Sequence, residues 1–201
     1  MEKKTKVLPA VLCVILLVTV AVAGTLAYLS HKTETSRNVF TIGNVDITID
    51  ERKADGSGRT SKGNKYVLKS GKIYHKDPII HVDKKSDSSY IFVKVKNEIS
   101  HLENKNNLVS HQILKNGWKE FDDYKQGNTR IYWKKWNKPQ IKKDNYYDLQ
   151  LFETVHIDKN TTEKKLSEAA NKSIVITAYA VQQKSIKDEV TAWNILKEKV
   201  E

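Results

Sequence analysis

Ser173–Gln182 (SIVITAYAVQ) constrains the fold more than any other stretch, because it is apolar on both parities of a two-residue repeat. A segment this short, rich in β-branched residues and apolar on both sides, fits a strand buried on both faces in the middle of a sheet. Tyr90–Asn97 (YIFVKVKN) reads differently. Ile91, Val93 and Val95 share one side, and Lys94 and Lys96 face the other, which predicts a strand with one wet face, as in antiparallel sheets. Further strands are expected at Asn38–Asp50, at Ile79–Val82 behind Pro78, at Arg130–Trp136 and over Tyr146–Ile157. In the first of these the apolar parity flips at Gly43-Asn44, which predicts a bulge or tight bend whose two halves face one core.

Glu51–Lys65 contains three glycines and two serines and no large apolar side chain, so residues 51–65 are expected to form a flexible loop. Glu98–Tyr124 holds no strand period, and part of it is expected to be helical or an insertion. Asn160 with Glu163 predicts a capping box for a short helix in Thr161–Asn171. From Ser185, a candidate cap, Ile186, Val190, Trp193, Leu196 and Val200 recur at three- and four-residue steps, which predicts an amphipathic helix packed on the sheet through Trp193. The sum is a mainly β protein, a sandwich of about seven antiparallel strands with a C-terminal amphipathic helix.

The start of the chain is of another kind. Lys3, Lys4 and Lys6 precede an uncharged run from Val7 to Ala27, after which His31, Lys32, Glu34 and Arg37 open a polar sequence. A basic start, an apolar stretch and small residues at Thr25 and Ala27 form a secretion signal over residues 1–27, the signal peptide helix, with residues 28–201 as the exported domain. A retained membrane anchor is the competing reading, since the uncharged run approaches the roughly 20 residues that a span needs. Cys13, the single cysteine, lies inside the signal, so the exported domain forms no disulfide. Its leader removed, the chain has 174 residues, enough to bury a core without a covalent staple. Export without disulfides suits a bacterium with a single membrane.

The whole chain carries +11, and the leader takes three lysines and one glutamate, which leaves +9 on the domain. Such a surface attracts polyanions: anionic wall polymer, polysaccharide or extracellular DNA. Solvation of loops is the commoner role of such lysines.

GTLAYLS (residues 24–30) leading into FTIGNVDI (residues 40–47), with YIFVKVKNEI (residues 90–99), ITAYAVQ (residues 176–182) and AWNIL (residues 192–196), resembles bacterial proteins exported through the alternate, SipW-type signal peptidase. That family includes the biofilm matrix protein TasA and the camelysin (CalY) group. The resemblance implies cleavage between Ala27 and Tyr28 by the alternate signal peptidase, a jelly-roll-like sandwich, and a place in the extracellular matrix or on the surface of a Gram-positive bacterium. For fibre-forming members it also implies self-association by strand donation. Here the donor-type strand falls in residues 28–50, with Val39, Phe40 and Ile42 as buried plugs beside Gly43. In a single chain the same strand is expected to pair within its own domain. Membrane contact is expected only through the uncleaved signal.

No catalytic, cofactor-binding or metal-ligating set is expected. The sequence has no HExxH, and His31, His75, His81, His101, His111 and His156 never pair at helical spacing. His75 and His81, with Asp77 and Asp83 beside them, are the nearest approach to a surface metal site. A camelysin-like secreted metallopeptidase and a monomeric adhesin for anionic polymers are the alternatives to a non-enzymatic structural protein. Trp118, Tyr132, Trp133, Trp136, Tyr146 and Tyr147 fit core packing better than a stacking platform.

Overall fold

The computed structural model describes residues 37–139 and 146–200. The signal segment, the cleavage pair Ala27 and Tyr28, and the start of the donor arm lie outside the described residues. Within them the strands are β1 (Arg37–Ile42), β2 (Ile47–Arg52), β3 (Arg59–Thr60), β4 (Ile73–His75), β5 (Ile79–Asp83), β6 (Ser89–Asn97), β7 (Lys119–Gln126), β8 (Thr129–Trp136), β9 (Tyr146–Gln150), β10 (Thr154–His156) and β11 (Ile174–Gln182). Three α-helices join them, α1 (Val109–Lys115), α2 (Glu163–Glu168) and α3 (Glu189–Val200). No helix among the described residues is long and apolar enough to cross a membrane.

A five-stranded sheet runs β1-β11-β6-β8-β7 and a four-stranded sheet β3-β2-β5-β9, with β10 and β4 as a separate ribbon. The two larger sheets share one core. Ile91, Val93 and Val95 of β6 and Ile176, Ala178 and Ala180 of β11 meet Ile47 and Ile49 of β2 and Ile80 and Val82 of β5. In the antiparallel register Ala178 sits opposite Val93 and Ala180 opposite Ile91. A small residue beside each branched one lets the second sheet approach closely.

The other face of the five-stranded sheet is also buried. Tyr90, Phe92, Ile131, Tyr179 and Val181 form a second cluster with Phe121 of β7 and with Ala192, Trp193 and Leu196 of α3. The Trp193 ring lies 5.2 Å from Phe92, 5.5 Å from Tyr179 and 6.0 Å from Phe121. Aromatic pairs at these separations are each worth about 0.5–1.5 kcal/mol beyond the area they bury. This explains the apolar character of both sides of β11, one facing the central core and one facing α3. It also corrects the wet face expected for β6. Only Lys94 and Lys96 lie on its uncovered end, because α3 arrives from the far end of the chain to cover Tyr90 and Phe92.

Gly43-Asn44 is no bulge within one strand. β1 belongs to the five-stranded sheet and β2 to the four-stranded one, so the parity flip marks a change of sheet. Ile42 packs with the α3-side cluster, whereas Val45, Ile47 and Ile49 enter the central core. The stretch Tyr146–Ile157 likewise divides, into β9 on the four-stranded sheet and β10 on the ribbon. The segment without a strand period holds α1 and β7, and β3, β4 and β10 add short strands to the count. Thr162, not Asn160, caps α2, its hydroxyl accepting from Lys165 N at 3.4 Å. Asp188 caps α3 by accepting from Thr191 N at 2.8 Å, while Ser185 takes a positive φ of 66° in the turn before it.

The glycine-rich residues 51–65 are tied to the body at several points. β3 pairs with β2, and Arg59 reaches Asp50 at 2.5 Å and Asp77 at 3.0 Å. Asn64 reaches the fully buried Glu51 at 2.9 Å, and Lys76 meets the same carboxylate at 2.7 Å.

Candidate assembly site at the first strand

Among the described residues β1 is the outermost strand of its sheet, and its pairing with β11 is the one parallel pairing there, with Val39 opposite Ala178, Phe40 opposite Tyr179 and Ile42 opposite Val181. Among the described residues no strand lies beyond it, so its outer N–H and C=O groups form an unpaired edge. Phe40 stacks on Tyr179 with ring centroids 5.3 Å apart and planes 15° from parallel, yet keeps 39% of its surface exposed. Val39, on the opposite parity, is 37% exposed. Ile42 is the most enclosed of the three, half-buried against the α3-side cluster.

Gly43 follows at φ +88°, and a Cβ there would lie 2.7 Å from Gln182 Cβ and 2.9 Å from Gln182 Oε1. Both the left-handed backbone and the close approach require glycine. Past Gly43 the chain is held by a polar network. Asn44 N donates to Gln182 Oε1 at 3.3 Å, and the side-chain amides of Asn44 and Gln182 both donate to Asp87 Oδ2 at 3.0 Å. Asp87 N donates back to Asn44 O at 2.9 Å, and Asp46 N donates to Ser86 Oγ at 2.9 Å. The Asn44 amide, helped by Lys138 against some desolvation, holds the Asp87 carboxyl below the usual carboxylate range. The glycine therefore separates an anchored segment from a strand held by its ladder and by Phe40 and Ile42. Val39, Phe40 and Ile42, singled out in the sequence, lie on β1, and Gly43 ends it; Asn44, Asp87 and Gln182 were not among the residues singled out. Their meeting depends on three distant segments, and no local motif signals it.

A second polar cluster covers the outer face of the four-stranded sheet. His81 of β5 stands between Asp148 of β9, 2.7 Å from Nδ1, and Asp50 of β2, 3.0 Å from Nε2. The Nε2 approach lies off the direction a hydrogen bond needs. Desolvation works to raise the Asp50 carboxyl, but the contacts with His81 and Arg59 prevail and hold it below its ordinary value. The cluster staples three neighbouring strands and carries Arg59 with it.

The histidine–aspartate grouping of the sequence is thus dispersed. Asp77 serves Arg59, Asp83 accepts from Lys85 N, His75 is exposed, and His156 meets Thr154 Oγ1 at 2.9 Å. Among the described residues no group of three His, Cys, Asp or Glu side chains is placed to hold a metal ion. Of the aromatics, Trp118 is buried with Nε1 donating to Gln150 O, Trp136 packs on Tyr147, and Lys119 Nζ sits 5.0 Å over the Trp133 ring.

Fold and site together define a β-sandwich protein whose first strand is appended in parallel to a sheet edge through a glycine hinge. No family model, curated protein or solved structure matches this chain.

Proposed function

We propose that the protein is a secreted structural protein of a bacterial surface or biofilm matrix, a non-enzymatic fibre subunit on a jelly-roll-like sandwich. In this proposal subunits join when the N-terminal strand of one pairs with β11 of the next. The observation that carries the reading is the attachment of β1. It lies at an edge, outside the hinge network, and its contacts are reproduced unchanged when the strand comes from another copy. Exchange of an identical element through a short hinge has a low energetic cost, since the interactions lost within one chain are regained between two. Phe40 and Ile42 supply roughly 1.5–3 kcal/mol each on full burial, and both are only partly buried when β1 pairs within its own chain. A neighbour that covers their exposed surface adds to the gain.

Two forms test this, one beginning at Tyr28 and one beginning at Gly43. The longer form is expected to sediment as filaments at high concentration. The shorter form is expected to stay monomeric and to bind a synthetic peptide of residues 28–44. A longer form that remains monomeric, together with a shorter form that ignores the peptide, refutes strand donation.

A further inference from the structure

Three side chains at the base of the glycine-rich loop form a buried group that the assembly site does not use. Glu51 is fully buried, Lys76 is 3% exposed and Asn64 is 9% exposed. Both oxygens of the Glu51 carboxylate are engaged, Oε2 by Lys76 Nζ at 2.7 Å and Oε1 by Asn64 Nδ2 at 2.9 Å. The amine and the amide are therefore brought together on the two oxygens of one carboxylate. The Asn64 amide is oriented as well. Its Oδ1 accepts from Ala54 N at 2.9 Å, and its Nδ2 also donates to Arg52 O at 2.7 Å. Lys76 lines a small apolar cavity with Leu68, Tyr74, Val155 and Ile174, which limits water at the site.

A nucleophile, an acid–base group touching both reactants, and a backbone donor on the carbonyl oxygen are the parts of an acyl transfer. We propose that Lys76 and Asn64 join in an intramolecular isopeptide bond, with Glu51 as the catalytic acid–base residue. Lys76 Nζ passes one proton to Glu51 and attacks Asn64 Cγ as the neutral amine. The carbonyl electron pair moves onto Oδ1, where Ala54 N–H meets the developing charge. Glu51 then protonates Nδ2 and takes a second proton from Nζ. The Cγ–Nδ2 bond breaks, the carbonyl re-forms, and ammonia leaves. The proton left on Glu51 departs with the ammonia as ammonium, so the products are one secondary amide and one ammonium ion, with no oxidant, cofactor or energy source consumed.

Burial favours this outcome. An ion pair away from water carries the desolvation cost of two charges, and the amide replaces it with a neutral link. The link also provides what the cysteine count withholds. The single cysteine is Cys13, so residues 28–201 have no disulfide to secure a loop. The bond closes the segment between Asn64 and Lys76 and fixes the foot of the glycine-rich loop next to β2.

The test is peptide mapping of the full chain by lysyl endopeptidase and tandem mass spectrometry, alongside Glu51→Gln and Lys76→Arg. The expected result is one branched peptide joining residues 64 and 76, lighter by a single ammonia, uncut after Lys76, and lost in both variants. Cleavage after an unmodified Lys76 in the unaltered chain overturns the proposal. So does an ammonia loss at Asn64 that persists in Lys76→Arg, which marks a succinimide. The map of the unaltered chain decides even where a variant fails to fold.

Discussion

Gly43→Ala is the sharpest perturbation of the hinge, because two independent costs fall on one methyl group. The backbone there has φ +88°, and an L-residue in left-handed geometry costs roughly 1–2 kcal/mol relative to glycine. The new Cβ would also stand 2.7 Å from Gln182 Cβ, where relief needs movement of the β11 backbone and not of a flexible side-chain end. Overpacking of that kind adds roughly 1–3 kcal/mol. The two together come to about 2–5 kcal/mol, directed at the junction between β1 and the Asn44–Asp87–Gln182 network. The strain is relieved by release of β1 without unfolding of the sandwich, since β6, β8 and β11 make their contacts without it. Hydrogen exchange by mass spectrometry is the suitable assay. Amides of β1 and its partners on β11 should exchange at least about thirty-fold faster, the equivalent of 2 kcal/mol, while β6 stays protected. Unchanged protection of β1 together with an unchanged melting temperature would refute the claim that this glycine fixes the strand. Loss of protection throughout β6 would show that β1 is no separable element.

Trp193→Ala removes the centre of the α3-side cluster and should cost about 3–5 kcal/mol, read as a lower urea midpoint and exposure of Tyr179 in near-ultraviolet circular dichroism. Arg59→Ala frees Asp50 and Asp77 from a partly exposed partner. A loss of about 1 kcal/mol and faster tryptic cleavage after Lys53 and after Lys62 are expected, with the fold otherwise unchanged. Acidification acts on the same loop. The Asp50 carboxyl is held below its ordinary 3.8, so its contribution is present above that value and disappears as pH falls through the lowered one. Loop protection in the unaltered chain should therefore fade only below about pH 4, and Arg59→Ala should shift the loss to higher pH.

Strand positions were legible in the sequence wherever one side chain pattern met one environment. Ile91, Val93 and Val95 declared a core face because alternation in a strand maps directly onto sheet faces. SIVITAYAVQ declared a strand covered on both faces because apolar side chains occupy both parities of its length. The period change after Ser185 announced α3, and Trp193 its packing residue. The proposed assembly residues Val39, Phe40, Ile42 and Gly43 were visible as apolar positions ending at a glycine. Tertiary structure alone decided the rest. Tyr90 and Phe92 are dry because a helix about a hundred positions later covers them, and no local pattern encodes a cover supplied from so far away. The parity flip at Gly43-Asn44 is compatible with a bulge or with a change of sheet, and only the pairing of β1 with β11 and of β2 with β5 separates the two. Parallel pairing of β1, the meeting of Asn44, Asp87 and Gln182, and the convergence of Glu51, Asn64 and Lys76 all depend on long-range closure of the chain. Periodicity reports the environment of a residue within its own strand. Which strands become neighbours is set by the collective fit of the two sheets and α3.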